Sequence, residues 1–416
     1  MRAAGSVLRD GDDPDWAREV LEGPGVTRDV QRLLESAVAS HAVPGAVVAV
    51  TRRDGSPQLV AAGTLQVGGG APVTPDTMFR LMSMTKAFAS VAALQLIEQG
   101  RLELQQEVAS VLPAFAELKV LDGFDGDTPR LREPARPATI RHLLTHTAGH
   151  GYAFNSPELL RYYELTGVPD PFSGRRAGLQ LPLIADPGEV WNYGINTDWL
   201  GQVIEAVSGQ DLSSYLAEHV FRPLGMDHTT FAPTPEQRER LMPIHSRTPD
   251  GGLRLSELDV PIADPEFWPA GHGAFGTGGD YARFMAALLN DGELDGVRIL
   301  RPETVELSFS DHLDGVPLPE TVESTLPELT NDVPPLPFKQ AWGLGFHLFT
   351  EDLPGMRRAG SGDWAGLCNC YYWVDRSTGL AAAFLTQVLP FFDAQIVELL
   401  QPLEQALYAG ATASTR

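Results

Sequence analysis

Strand-like runs lie at the two ends of this chain and helical patterns lie between them, and that division restricts the fold more than any other feature. GAVVAVT (45–51) is apolar and β-branched, Asp54-Gly55 marks a turn, and Gln58 to Ala62 resumes the apolar run, so a hairpin is expected. After a Gly-rich loop (Gly68 to Gly70) and the segment TMFRLM, apolar residues recur at helical spacing from Thr85 to Glu98 and stop before Gly100. The middle third reads as helices broken by loops, at Arg141 to Thr145, Thr197 to Val207, Leu212 to Phe221 and Asp280 to Leu289. Leu313 to Lys339 is rich in Pro and acidic residues and reads as a surface loop or flap. Strand-like runs return at Trp342 to Phe349, Leu367 to Val374 and Gly379 to Val388, and a helix from Ala394 to Tyr408 closes the chain. Strands at both ends with helices between imply one discontinuous sheet.

Composition narrows the function. The 416 residues carry 31 Lys plus Arg against 54 Asp plus Glu, a formal charge of −23, which argues against nucleic-acid or anionic-membrane partners. The longest apolar runs, such as Val43 to Val50, fall well short of the roughly 18 residues of a bilayer span. Acidic residues stand in MRAAGSVLRDGDDPDWAREV where a signal peptide would place its apolar core, so a cytoplasmic location is expected. Residues 1 to about 27 are polar with little periodicity, an extension ahead of an amphipathic helix from Asp29 to Ser40. The two cysteines, Cys368 and Cys370, are two apart; in a strand their side chains run parallel, so reduced thiols are expected.

Ser83-Met84-Thr85-Lys86 carries the most chemical content. Three residues place serine and lysine on one helical face, and with only three lysines and 20 serines in 416 residues a Ser-x-x-Lys arises by chance in roughly one such chain in seven. An amine can lose its proton where a guanidinium practically cannot, so a lysine in a chain with 28 arginines points to base chemistry. The competing reading is a serine that caps the helix beside a solvated lysine. Gly271, Gly273 and Gly276 spell Gly-x-Gly-x-x-Gly, but PIADPEFWPA before them has three prolines and is no buried strand, which removes the dinucleotide reading. His142, His146 and His150 are spaced by four like a metal set, yet Thr147-Ala148-Gly149 ends the helix before His150, so packing at a helix end is expected and no metal. Gly-x-Ser-x-Gly is absent at every serine, against an α/β-hydrolase.

LMSMTK, read with VLDGFDGDTPRLREPARPATIRHLLTHTAGHGY (120–152), PGEVWNYGINTDWLG (187–201), GDYARFMAALLNDGELDGVRIL (279–300) and AGLCNCYYWVDRSTGLAAAFLTQVLPF (365–391), resembles the serine β-lactamase-like and penicillin-binding-protein-like superfamily, most closely the family VIII carboxylesterases. The resemblance runs from about residue 29 to the C-terminus. It implies an α/β sandwich with the class C β-lactamase fold, in which N- and C-terminal strands form one antiparallel sheet flanked by helices. The expected organisation is an N-terminal extension (1–28), a discontinuous α/β lobe (29–100 and 291–416) and a mainly helical lobe (101–290), with the active site between the lobes.

By the same resemblance Ser83 is the acylated nucleophile, Lys86 its proton partner and Tyr193 of WNYG a general base or proton relay. Two departures matter. Relatives that act on penicillins carry Tyr-x-Asn, whereas here Tyr193-Gly194-Ile195 leaves Asn196 one place late. The Lys-Thr-Gly of β-lactamases aligns with Trp364-Ala365-Gly366, so the lysine that holds a substrate carboxylate is missing. The resemblance gives the oxyanion to the backbone N–H groups of Leu367 and Ser83, beside Gly366, and makes Trp364 a pocket wall. A serine carboxylesterase without cofactor or metal, acting on a small-molecule ester, is the expected function. An acyltransferase on a small-molecule acceptor is the alternative, ahead of a β-lactamase or D-aminopeptidase and of a non-catalytic binding protein.

Overall fold

A computed structural model describes residues 25–53, 57–258 and 265–413. Most of the N-terminal extension, the Asp54-Gly55 turn and four residues of PIADPEFWPA lie outside the described residues. Three strands from the start of the chain, β1 (Gly45–Arg52), β2 (Gln58–Gln66) and β3 (Gly69–Pro72), join five from its end: β4 (Gln340–Trp342), β5 (His347–Phe349), β6 (Gly362–Gly366), β7 (Cys370–Asp375) and β8 (Leu380–Leu385). They form one antiparallel sheet in the order β4-β5-β6-β7-β8-β1-β2-β3. The two ends of the chain meet in its centre, where Val47 pairs with Leu385 and Val48 with Phe384.

The continuous apolar character of GAVVAVT follows from burial on both faces. Successive side chains point to opposite sides of a strand. Val48 and Val50, with Ala382 and Phe384, pack against Val30 and Leu34 of α1 (Gly25–Ala39) and Ile396, Leu403 and Leu407 of α6 (Ala394–Ala413). Val47 and Ala49, with Ala383 and Leu385, face the larger core. That core holds α2 (Thr85–Glu98), whose residues 85 to 96 are all buried, as expected for a helix apolar around its circumference. It also holds α3 (Ile140–Leu144), α4 (Asn196–Ser208) and α5 (Gly278–Leu289).

The structure refines several expectations. Helix α5 lies on the sheet, with Gly278 so close to β1 that a Cβ there would sit 2.9 Å from Val47 Cγ1. Residues 278–289 therefore pack with the sheet, earlier than the expected division at 290/291. The run from Trp342 to Phe349 is two strands around a tight turn closed by Gly343 N–H on Phe346 O at 2.8 Å. Leu367 to Val374 begins as a turn, with Asn369 at φ 58°, and β7 starts only at Cys370. The hairpin of Val120–Asp125 with Thr128–Arg132, buried only at Val120 and Leu121, is not announced by any apolar alternation. Residues 313–339 hold no helix or strand beyond two isolated bridges, Val322 with Val333 and Thr330 with Phe391, and are tied down by Thr325 N–H on Phe154 O and Asn331 N–H on Phe391 O, both 2.9 Å. Among the described residues no helix is long and apolar enough to cross a membrane.

Candidate active site

Ser83 sits in a single 3-10 turn, Met82–Met84, that feeds directly into α2. The N-cap of α2 is Met84 and makes no side-chain capping bond, so Ser83 does not serve as a simple helix cap. Its hydroxyl is engaged elsewhere: Tyr193 Oη donates to Ser83 Oγ at 2.6 Å, and Lys86 Nζ lies 3.1 Å from the same oxygen. The three-residue step along the helix brings the lysine there, whereas Tyr193 arrives from a loop 110 residues later. That loop passes hard against the end of THTAGHGY, since a Cβ on Gly194 would lie 2.5 Å from Gly151 N. Trp364 Nε1–H donates to Tyr193 Oη at 3.3 Å, fixing the phenol from β6. Gly366, two residues on, lets β6 pass the nucleophile turn, because a Cβ there would meet Leu81 O at 2.6 Å.

Lys86 is buried, and its Nζ stands within hydrogen-bond reach of Ser83 Oγ, of Gly271 O at 2.8 Å and of Tyr152 Oη at 3.3 Å. Nζ also stands 4.7 Å from the centroid of the Tyr193 ring, within cation–π range. Gly271 in turn donates its N–H to Asp198 Oδ1 at 2.9 Å. The Gly-x-Gly-x-x-Gly segment is therefore a support for the lysine, and residues 265–274 form no strand. Tyr152, Gly271 and Asp198 are the members of the site that motif reading missed. Tyr152 closes the quoted THTAGHGY segment, which was the one available signal.

Other candidates resolve by packing. Helix α3 ends at Leu144, before His146 and His150. His142 instead accepts the Thr139 N–H at its start, at 3.1 Å. His146, at φ 56°, sits 3.0 Å from Asn196 Nδ2, while His150 packs edge-on against Phe115. Burial pushes the His142 imidazole down to about 4, His150 to about 3 and His146 well below its ordinary range, so all three are neutral at neutral pH. Among the described residues no group of three or more such side chains is arranged to hold a metal. Asn196, one place late for Tyr-x-Asn, is fully buried against His146 and Asn192 O and does not line the cleft. Cys368 and Cys370 are free buried thiols, and burial raises both, Cys370 to about 12.

Ser83 opens into a cleft whose free space, open solvent at its mouth included, is about 1330 Å³. Tyr152, Trp191, Tyr193, Trp342 and Trp364 form its walls near the serine, and Leu318, Val322, Leu336 and Phe338 of the 313–339 segment cover it. Gly366 and Leu367 line the same space as Ser83. The acidic groups in the lining are Glu320 and Asp363; Asp363 lies 2.6 Å from His347 Nδ1 and is also bound by Arg357 at 2.6 Å.

The beta-lactamase family model matches residues 30–402. The chain is 34% identical over 402 residues to monacolin J acid methylbutanoyltransferase of Aspergillus terreus, covering 91% of this chain and 95% of that protein. It is 30% identical over 395 residues to the lovastatin esterase of Penicillium rubens, covering 90% and 96%. Among solved structures, unliganded simvastatin synthase from Aspergillus terreus superimposes with a TM-score of 0.81 at 30% identity, over 93% of this chain and 99% of that one. EstCE1, a hydrolase with promiscuous acyltransferase activity, shares the fold with a TM-score of 0.72 at 24% identity, over 95% and 100%. Spanning nearly the whole sequence and the whole fold, these likenesses show that the chain belongs to the beta-lactamase family and is an enzyme of the serine β-lactamase-like superfamily.

Proposed function

We propose that this enzyme is a serine carboxylesterase that works through an acyl-enzyme on Ser83, with Lys86 and Tyr193 moving the proton. The observation that carries this reading is Ser83 Oγ placed 3.1 Å from Lys86 Nζ and 2.6 Å from Tyr193 Oη at the floor of an apolar cleft. Lys86 as a neutral amine takes the serine proton as Oγ attacks the ester carbonyl. The oxyanion rests on the backbone N–H groups of Ser83 and Leu367, whose residues share the cleft, and Tyr193 returns the proton to the leaving alcohol. Water then repeats the sequence on the acyl-enzyme.

The lining favours an uncharged ester with a bulky apolar body. Among the described residues lining the cleft there is no lysine or arginine, so a carboxylate buried against them would lack a partner. Trp364 at the Lys-Thr-Gly position and Asn196 turned toward His146 remove the two groups that hold penicillin-like substrates, which ranks β-lactamase or D-aminopeptidase activity low.

Acyl transfer to an alcohol or amine acceptor is the second reading, favoured by the relative named for methylbutanoyl transfer. The deciding measurement is pre-steady-state release of nitrophenol from p-nitrophenyl butyrate by wild type and Ser83→Ala, with and without acceptor alcohols or amines. The expected result is a burst in the wild type and none in the variant. Acyl groups recovered mainly on the acceptor would make the enzyme a transferase. Equal release by Ser83→Ala would overturn the nucleophile, and a wild type that no serine probe labels would make the cleft a non-catalytic binding site.

A further inference from the structure

Acylation asks two things of Lys86: that its nitrogen stay on Ser83 and that the positive charge it gains be tolerated in a buried place. Lys86 is 3% exposed, so solvent supplies little of either. Gly271 is a two-sided bridge behind it. Its carbonyl accepts from Lys86 Nζ at 2.8 Å, and its N–H donates to Asp198 Oδ1 at 2.9 Å. A Cβ at 271 would lie 2.5 Å from Asp198 Oδ2, so any larger residue would displace the carboxylate from this bridge. Asp198 itself lies in the first turn of α4, 1% exposed, and its Oδ2 has no hydrogen-bond partner among the described residues. Neither Asp198 nor Gly271 lines the cleft.

Among the groups around this carboxyl, Lys86 is the one that becomes its counter-charge when it takes the Ser83 proton. His272, beside Gly271, and His150, against Trp199 of α4, are both pushed by burial down to about 3 and are neutral at working pH. Burial, reinforced by the charge of Asp198, holds the Tyr152 phenol well above its ordinary range, so it too is neutral. Burial raises Asp198 to about 6, against the opposing pull of Lys86 and the Gly271 N–H.

On the reading of Ser83 as nucleophile, we propose that Asp198 is a positioning residue for the proton transfer: through Gly271 it fixes Lys86 Nζ on Ser83 Oγ, and its carboxylate stabilises the ammonium formed during acylation. As Oγ bonds to the carbonyl carbon, the Ser83 proton passes to Lys86 Nζ and the carbonyl π pair moves onto oxygen. The new ammonium is then within Coulomb range of Asp198, to which Gly271 links it. When the tetrahedral intermediate collapses, the ester C–O bond breaks and the proton returns through Tyr193 to the leaving alkoxide. No net charge or proton is left over, and Asp198 itself exchanges none.

The test is Asp198→Asn, which keeps an oxygen for the Gly271 N–H and removes the charge. On p-nitrophenyl butyrate the expected result is a kcat lower by roughly 10- to 100-fold with KM within about twofold, and loss of the acidic limb expected of the wild-type rate profile near pH 6. An unchanged kcat and pH profile would overturn the proposal, as would a loss confined to KM or to the fraction of folded enzyme. Should the variant fail to fold, the wild type still decides: an acylation rate flat from about pH 5 to 7 would overturn the role of the carboxylate. Stoichiometric labelling of Ser83 by a fluorophosphonate is measured alongside. Wild type that does not label overturns the nucleophile and this proposal with it, whereas normal labelling with an unaffected variant overturns Asp198 alone.

Discussion

At the scale of single residues, the Ser-x-x-Lys spacing is complete in the sequence because a helix dictates it, whereas the groups that hold Lys86 are not. Gly271 lies 185 residues from the lysine and Tyr152 lies 66 away, so no local pattern ties them to it. Gly366 shows how a residue without chemistry of its own can decide a site. Its missing Cβ lets β6 lie against Leu81 O, which brings Leu367 beside Ser83. Gly366→Ala is expected to force the strand and the nucleophile turn apart, costing about 1–3 kcal/mol of stability by overpacking and lowering acylation with it. Urea denaturation and Ser83 labelling rates check this, and normal values for both would mean that the backbone yields at no cost.

At the scale of elements, the sheet edge that carries Trp364 is tied down by one buried polar network. Arg357, in the loop between β5 and β6, donates to Asp363 of β6 at 2.6 Å and, from Nη2, to Glu404 of α6 at 2.8 Å. Its guanidinium also lies 4.5 Å from the Phe349 ring and 4.9 Å from the Trp373 ring. His347 of β5 joins the network, 2.6 Å from Asp363 and 2.8 Å from Gln340 of β4. Five elements, β4, β5, β6, β7 and α6, thus meet at one polar cluster whose Gln340, His347 and Asp363 line the cleft. Arg357→Leu leaves Asp363 and Glu404 buried without their cation, and is expected to cost about 3–5 kcal/mol. Arg357→Lys should lose less, since it keeps the charge but not the two-pronged geometry. A chemical denaturation midpoint equal to wild type for the leucine variant would show that the network adds nothing to stability.

At the scale of the whole molecule, acid sensitivity follows from the neutral histidines packed around the site. His142 is held down to about 4, and His150 and His272 to about 3, each chiefly by burial. An unfolded histidine titrates near about 6.5, so below that pH the unfolded chain binds more protons and the fold loses stability as pH falls. Each such histidine contributes up to about 1.4 kcal/mol per pH unit across its window. Asp198 acts in the opposite sense. Raised to about 6, it keeps its proton longer in the folded state and partly offsets one histidine between about pH 4 and 6. The melting temperature is therefore expected to fall as pH drops from about 6.5 toward 4, and His150→Phe to lessen that slope. A slope unchanged by His150→Phe would mean that this histidine is protonated in the native state.

Whatever local periodicity and spacing can specify is legible along the chain. The apolar runs at both ends of the chain marked the strands, Ser83 and Lys86 shared a helical face, and the Pro-rich stretch at 313–339 announced a segment without regular structure. Tertiary structure alone decided which of these meet. The pairing of Val47 with Leu385 and the arrival of Tyr193 on Ser83 both join residues far apart in the chain. So does the folding of 313–339 over the aromatic cleft, and so does the Asp198–Gly271–Lys86 bridge. Such contacts depend on burial and steric fit between distant elements, and those forces leave no mark on neighbouring residues along the chain.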